Sequence, residues 1–351
     1  MTIRTCAAIA LLMGVASVAS AQGTQGSVDA QCMGSGVRRE AQDACQKAID
    51  LFSFMAPQLS ASIAGGNATL GQGQVMGRPG KFAIVIRANA VQGSLPEFDG
   101  SAPSITGASS TNYTTKQQYL GLPVADVTVG VIPSFRVGTR KVFGVDAIVS
   151  VAYLPEYESS DESFSIRLPD GSLKLGFGGR VGIVQEGKFM PGLGLTYLVR
   201  DLPVVSVFGT SASGVGMRDT LSLNELDAST KSVRIVGQKT FALLRLAVGF
   251  GQDKYETSSN LGARVYSGLC AAGGCGFDSG LVNFSQSMTR SNAFADLQLN
   301  LVLFKLVAEI GQVGEVKSSE RVTTFNTFGE NGDDTPNDSR TYGSVGIRFG
   351  F

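Results

Sequence analysis

Ten charged residues lie on the polar side of segments in which apolar and polar residues alternate: Arg87, Asp126, Asp146, Lys174, Arg180, Arg200, Arg245, Asp296, Glu309 and Arg348. Projected into one interior, such groups can pair across it and close it, or they can line a water-filled pore. A strongly ion-selective pore would carry mainly one sign. Both signs occur here, which favours structural pairing. Bond-making chemistry is poorly provided for. The 351 residues contain no histidine, so the chain has no Ser–His or Cys–His pair and lacks the commonest metal ligand. The glycine runs Gly176–Gly182 and Gly65–Gly73 are not followed by helical patterns, and no Gly-Lys-Ser/Thr occurs. Glycines inside strands let the strand bend and let backbones approach closely, which explains the first run without a nucleotide. No enzymatic activity and no cofactor are expected.

Five cysteines become four if Cys6 is removed with a leader. Cys32 and Cys45 lie near the start of the mature chain, and Cys270 and Cys275 bracket Ala-Ala-Gly-Gly. An even number in an exported chain reads as disulfides, and this spacing favours two local bridges. Neither pair has the CxxC spacing of a zinc site. The leader itself is legible: Arg4, an apolar run Ala7–Val18, and a small-residue cleavage site Ala19-Ser-Ala21. Residues 1–21 therefore read as a signal peptide.

The elements that must position the ten charges come next. With 45 glycines, 20 phenylalanines, 17% charged residues and a mean hydropathy of +0.14, the composition suits strands with one apolar face. Phe82, Ile84 and Ile86 oppose Arg87 and Asn89; Ala242, Leu244, Leu246, Val248 and Phe250 oppose Arg245; Leu297, Leu299 and Leu301 oppose Asp296 and Gln298. These runs are long enough for tilted strands to cross a bilayer, and the many glycines opposite the apolar face suit an interior lined by short and polar groups. Short connections such as Glu186-Gly-Lys188 alternate with long polar ones such as Glu256–Ser285.

The sequence thus predicts an all-β fold: a transmembrane antiparallel up-and-down β-barrel over residues 80–351. Clear alternating runs and the less regular region 203–240 together give about 12 strands, with a range of 10 to 14. An even number places both ends of the folded chain on the short-turn side. Phe82, Phe135, Tyr153, Phe189, Tyr197, Phe241, Tyr255 and Phe304 near strand ends are expected to form aromatic girdles.

Residues 22–79 differ. Ala41, Ala44, Cys45, Ala48, Ile49 and Phe52 recur at helical spacing, predicting a short helix that stops before Pro57. A Gly-rich irregular stretch follows. This segment is read either as a periplasmic extension, the plainer choice, or as a plug folded back into the barrel.

The closing strand, Tyr342-Gly-Ser-Val-Gly-Ile-Arg-Phe-Gly-Phe351, resembles the assembly signal of Gram-negative outer-membrane β-barrels, carried here by Tyr342, Phe349 and Phe351. That resemblance implies a place in the outer membrane, contact with its lipids and lipopolysaccharide, and recognition by the barrel-assembly machinery. The helical and Gly-rich segment ahead of the first strand is similar to that of long-chain fatty-acid and hydrocarbon transporters, which carry an N-terminal plug. The resemblance implies a passive channel or transporter for small solutes, hydrophobic ones among them. The alternative is a closed structural or adhesive barrel with exposed loops. With 29 basic and 29 acidic residues, no nucleic-acid partner is expected.

Overall fold

The computed structural model describes residues 26–34, 38–97, 103–158, 164–212, 218–267 and 275–350. The expected signal peptide, Phe351 and Cys270 fall outside these residues. The side chain of Cys275 also falls outside them, so the second expected bridge does too.

Ten long strands follow one another along the chain. They are β1 (Phe82–Pro96), β2 (Thr115–Ile132), β3 (Val145–Tyr153), β4 (Leu173–Val184), β5 (Gly192–Asp201), β6 (Arg218–Phe241), β7 (Leu244–Ser267), β8 (Val282–Asn300), β9 (Lys305–Val316) and β10 (Arg340–Gly350). Each pairs antiparallel with its sequence neighbours, and β10 pairs with β1, with Ile86 opposite Ile347. Among the described residues the ladder therefore closes on itself with ten staves, the lower end of the expected range. Region 203–240 adds most of one stave, β6, and no complete second one. The short strand Val205–Ala212 continues the line of β5 along the same edge of β6, after a break at Leu202-Pro203-Val204. Proline has no N–H to give a ladder, which accounts for the break.

Which face points out follows from exposure. Ile86, Phe177, Val248, Phe250, Ile310 and Val345 are each more than half exposed. An apolar surface this continuous is unstable in water and suits lipid. Along β7 the outward residues run Leu244, Leu246, Val248, Phe250 and then Gln252, Lys254, Glu256, so the apolar band ends near Phe250. Lys254 and Lys231 both meet Glu256 on the outer wall, at 2.7 and 2.6 Å, just beyond that edge. Staves β6 and β7, 24 residues each, are about twice the length needed to cross a bilayer and rise past the band toward the long loops.

Inside lies α1 (Arg39–Ala64), longer than expected and passing straight through Pro57. A proline in a helix removes one N–H and leaves the carbonyl four residues earlier without its partner. That carbonyl belongs to Ser53, and Gln286 of β8 donates its side-chain amide to it at 3.5 Å. The barrel wall thus stands in for the missing bond. Gly65, at φ +59°, ends the helix in a conformation that side chains other than glycine rarely adopt. The chain then runs without helix or strand to β1.

The helix is buried on all sides, including Asp43, Gln46, Asp50 and Gln58, so residues 39–76 occupy the barrel and do not extend away from it. Gly26 donates its N–H to Thr324 in the β9–β10 loop, and Gly80 donates to Gly130 near the foot of β2. The chain therefore enters at the long-loop end, descends the barrel and leaves at the short-turn end. The expectation that both ends of the folded chain lie on the turn side is corrected by this threading. A disulfide between Cys32 and Cys45, with Cα atoms 5.6 Å apart, fixes the entry segment to the helix.

The threading sets a labelling experiment. With Cys270 and Cys275 replaced by serine, a cysteine put in place of Asp29 should react with an impermeant maleimide from the same face as one at Asp333. A cysteine at Lys188 should react only from the opposite face. Co-labelling of positions 29 and 188 would refute the threading.

Candidate functional site

Eight of the ten expected lumen residues turn inward and are buried: Arg87, Asp126, Asp146, Arg180, Arg200, Asp296, Glu309 and Arg348. Lys174, high on β4, and Arg245, at the foot of β7, are inward but only partly buried. Arg234, Asp253, Arg290 and Asn292, not singled out in the sequence, share the interior. Arg234 and Asp253 lie on the long staves β6 and β7, where weaker alternation hides them. Reading β6 as one continuous strand would have placed Arg234 inward from its two-residue phase with Gln238 and Ser232.

These groups form a cage around residues 64–76. Asp126 lies between two arginines, with Oδ2 3.1 Å from Arg87 Nε and Oδ1 2.8 Å from Arg200 Nη2. Ser150 donates its hydroxyl to the same carboxylate at 2.7 Å. The two guanidiniums then reach into the lumen: Arg87 donates to the carbonyl of Asn67 at 2.7 Å, and Arg200 to those of Ala64 and Ala68 at 2.8 and 2.9 Å. Arg234, paired with Asp253 at 2.7 Å, donates to the carbonyls of Gly65 and Gly66.

The acids do the converse job. Glu309 accepts from the N–H groups of Gly66 and Asn67, at 3.2 and 2.6 Å, and Asp296 from Gly71 N–H and the Asn67 amide, at 3.1 and 2.6 Å. Glu309 and Asp296 stand directly opposite each other on the β8–β9 ladder, a placement that is unfavourable for two bare carboxylates. The donors of the plug between them offset that cost. Lower down, Asp146 accepts from Met76 N–H at 3.0 Å and sits 4.0 Å from Arg180, and Gln238 accepts from Gly73 N–H at 2.7 Å.

Irregular backbone has no ladder of its own, and buried N–H and C=O groups left unpaired are costly. The cage supplies partners for many of them. Cations on the wall take carbonyls, and carboxylates together with the Gln238 amide take N–H groups.

Above the cage the contacts turn apolar. Ile49, Phe52, Ala48 and Ala56 of α1 pack with Leu168, Leu202, Leu226, Leu261 and Val282. Phe54 stacks on Phe328, with ring centroids 4.1 Å apart. Tyr255, expected in a girdle, is 1% exposed and points inward, its hydroxyl 3.3 Å from Asp253, because its phase on β7 is that of the polar face. Tyr342 is likewise internal and donates to Asn292 at 2.7 Å. Phe349 lies on the outward phase of β10. Phe294 and Tyr342 lie over Gly249 and Gly311 on the neighbouring staves, where an added methyl would run into the ring.

At the loop end, Asp50 of α1 holds the β9–β10 loop. It accepts from the N–H groups of Phe325 and Asn326, at 3.2 and 2.8 Å, and from the side-chain amides of Asn326 and Gln46, at 2.6 and 3.1 Å. Burial pushes its carboxyl up to about 6, against the pull of these donors.

No family model matches the chain, and no curated protein matches it. Among solved structures, it is similar to the outer-membrane protease OmpT from Escherichia coli, at 10% identity and TM-score 0.37, covering 79% of this chain and 99% of that one. It is similar to the translocator domain of autotransporter NalP from Neisseria meningitidis, at 9% identity and TM-score 0.36, covering 88% and 99%. It is also similar to the Pseudomonas putida toluene transporter TodX, at 10% identity and TM-score 0.32, covering 82% and 97%.

Two expectations follow from the geometry. Asp126→Asn leaves two buried guanidiniums sharing a neutral amide and should cost about 3–5 kcal/mol, read as a lower denaturant midpoint by circular dichroism in lipid vesicles. A change below about 0.5 kcal/mol, the range of an ordinary surface substitution, would contradict the cage. Asp50, whose folded-state value is raised from 3.8 to about 6, stabilises the fold fully below pH 4 and loses that contribution as pH rises through 6. The difference is about 3 kcal/mol. Asp50→Asn should flatten the stability profile between pH 4 and 6.

Proposed function

We propose that this chain is an exported outer-membrane β-barrel held shut by its own N-terminal segment, a closed structural or adhesive barrel that offers its long loops to the outside. One observation carries the reading: the buried pairs Arg87–Asp126–Arg200 and Arg234–Asp253, with Asp296 and Glu309, are spent on hydrogen bonds to residues 64–71. Charges used to hold a plug are not free to conduct. The apolar band supports contact with membrane lipid, and the terminal strand with Tyr342 and Phe349 supports recognition during barrel assembly. The absence of histidine supports a role without catalysis.

A passive channel for small, hydrophobic solutes is the second reading. Its support is that residues 65–79 carry no helix or strand, so opening the lumen there would not require unwinding α1.

Purified full-length protein in planar bilayers separates the two. The closed reading expects no stepwise conductance over the range in which an open barrel gives steady steps. Arg200→Ala combined with Arg234→Ala should produce flickering openings in protein that still closes as a barrel, judged by its heat-dependent shift on a denaturing gel. Steady single-channel steps from the unaltered chain would refute the proposal.

A further inference from the structure

Among the described residues, the turn-end mouth holds cations that have no carboxylate partner, and one of them, Arg348, touches the plug only through Gln72. Lys305 on β9 stands directly opposite Arg348 on β10, and Arg245 on β7 stands opposite Gln298 on β8. All of them are on the inward phase. Lys305 feels the charges of Arg348, Arg245 and Lys81, and Arg348 those of Arg245 and Arg180. Arg348 is 3% exposed, and its Nε and Nη1 have no hydrogen-bond partner; its Nη2 meets Gln72 Oε1. Among the described residues, no carboxylate lies within 4 Å of Arg348, Arg245 or Lys305.

The acids within electrostatic reach are committed elsewhere. Asp146 serves Met76 and Arg180, and Glu186 accepts from Thr240 and Gln238. By contrast Arg87, Arg200 and Arg234 each have a carboxylate. Like charges directly opposite on a ladder are unfavourable, and so is a buried guanidinium with idle N–H groups.

We propose that this mouth binds an oxyanion of the phosphate class, with Arg348, Lys305 and Arg245 as its ligands. Arginine presents two parallel N–H groups to such an anion, and Lys305 adds a point charge. The half-buried Lys305 and the exposed Lys81 mark the turn end as the way in. The anion can be free phosphate or the headgroup of a phospholipid, and the chemistry recognised is the same.

The test uses full-length protein in neutral detergent at low salt, with inorganic phosphate in one arm and a short-chain phosphatidic acid in the other, followed by calorimetry and phosphorus NMR line broadening. Saturable binding is expected, weakened roughly tenfold or more by Arg348→Gln or Lys305→Gln, the loss of one charge-assisted hydrogen bond. Lys188→Gln, on the turn but outside the cluster, should leave it unchanged. Binding in the phosphate arm identifies a free anion; binding in the lipid arm alone identifies a headgroup. If Arg348→Gln fails to close as a barrel, Lys305→Gln and Arg245→Gln carry the comparison. No binding in either arm, or binding unaltered by the folded variants, overturns the proposal. Conductance plays no part in the readout, so the closed-barrel reading can fail while this one stands.

Discussion

Everything inside this barrel answers to one requirement: the backbone of residues 65–76 is irregular, buried and surrounded by wall. In water its N–H and C=O groups would be solvated; within a ladder they would be paired. Here the wall must supply their partners, and it does so with charged side chains, of which the arginines are themselves ion-paired. The pairing is what makes the arrangement tolerable. An isolated buried guanidinium is expensive, but Asp126 between Arg87 and Arg200 neutralises part of that cost while leaving other N–H groups free to point at the plug. The polar interior is therefore a matrix fitted to one particular stretch of backbone.

The wall obeys a second, simpler constraint. A closed ladder leaves no edge, so its backbone is satisfied around the full circumference and its outer side chains can be as apolar as lipid demands. Small residues face inward where the plug or an aromatic ring comes close, as at Gly249 and Gly311. The extra length of β6 and β7 carries the wall beyond the apolar band, where Lys231, Lys254 and Glu256 replace Val248 and Phe250 on the outer surface.

The two-residue period makes the staves readable, because inward and outward environments differ so sharply. Arg87, Asp126, Arg180 and Arg348 can be assigned to the interior from phase alone. Phase does not say what a side chain will touch. The partners of Arg200 and Arg234 are carbonyls of Ala64 to Ala68, more than 130 residues away in sequence, and a carbonyl leaves no signature in residue type. Pro57 misleads for a related reason. The rule that proline ends a helix assumes that the orphaned carbonyl finds nothing better, and Gln286 lies on a strand far along the chain. Tyr255 misleads because its aromatic type points to a girdle while its phase on β7 points inward, and phase wins.

The seam between β1 and β10, where the ladder closes, carries Arg87, Asn89 and Ser344 on its inner side, and the Ser344 hydroxyl lies within hydrogen-bond distance of both Asn89 Oδ1 and Glu309 Oε1, at 2.9 and 3.0 Å. These residues belong to the cage as much as to the seam. A ring zipped shut without its thread would turn Arg87 and Glu309 toward water, and a thread without the ring would leave the backbone of residues 65–76 hydrated instead of caged. Plugging and closure therefore share their residues, so loosening the last stave and loosening the N-terminal segment draw on the same hydrogen bonds.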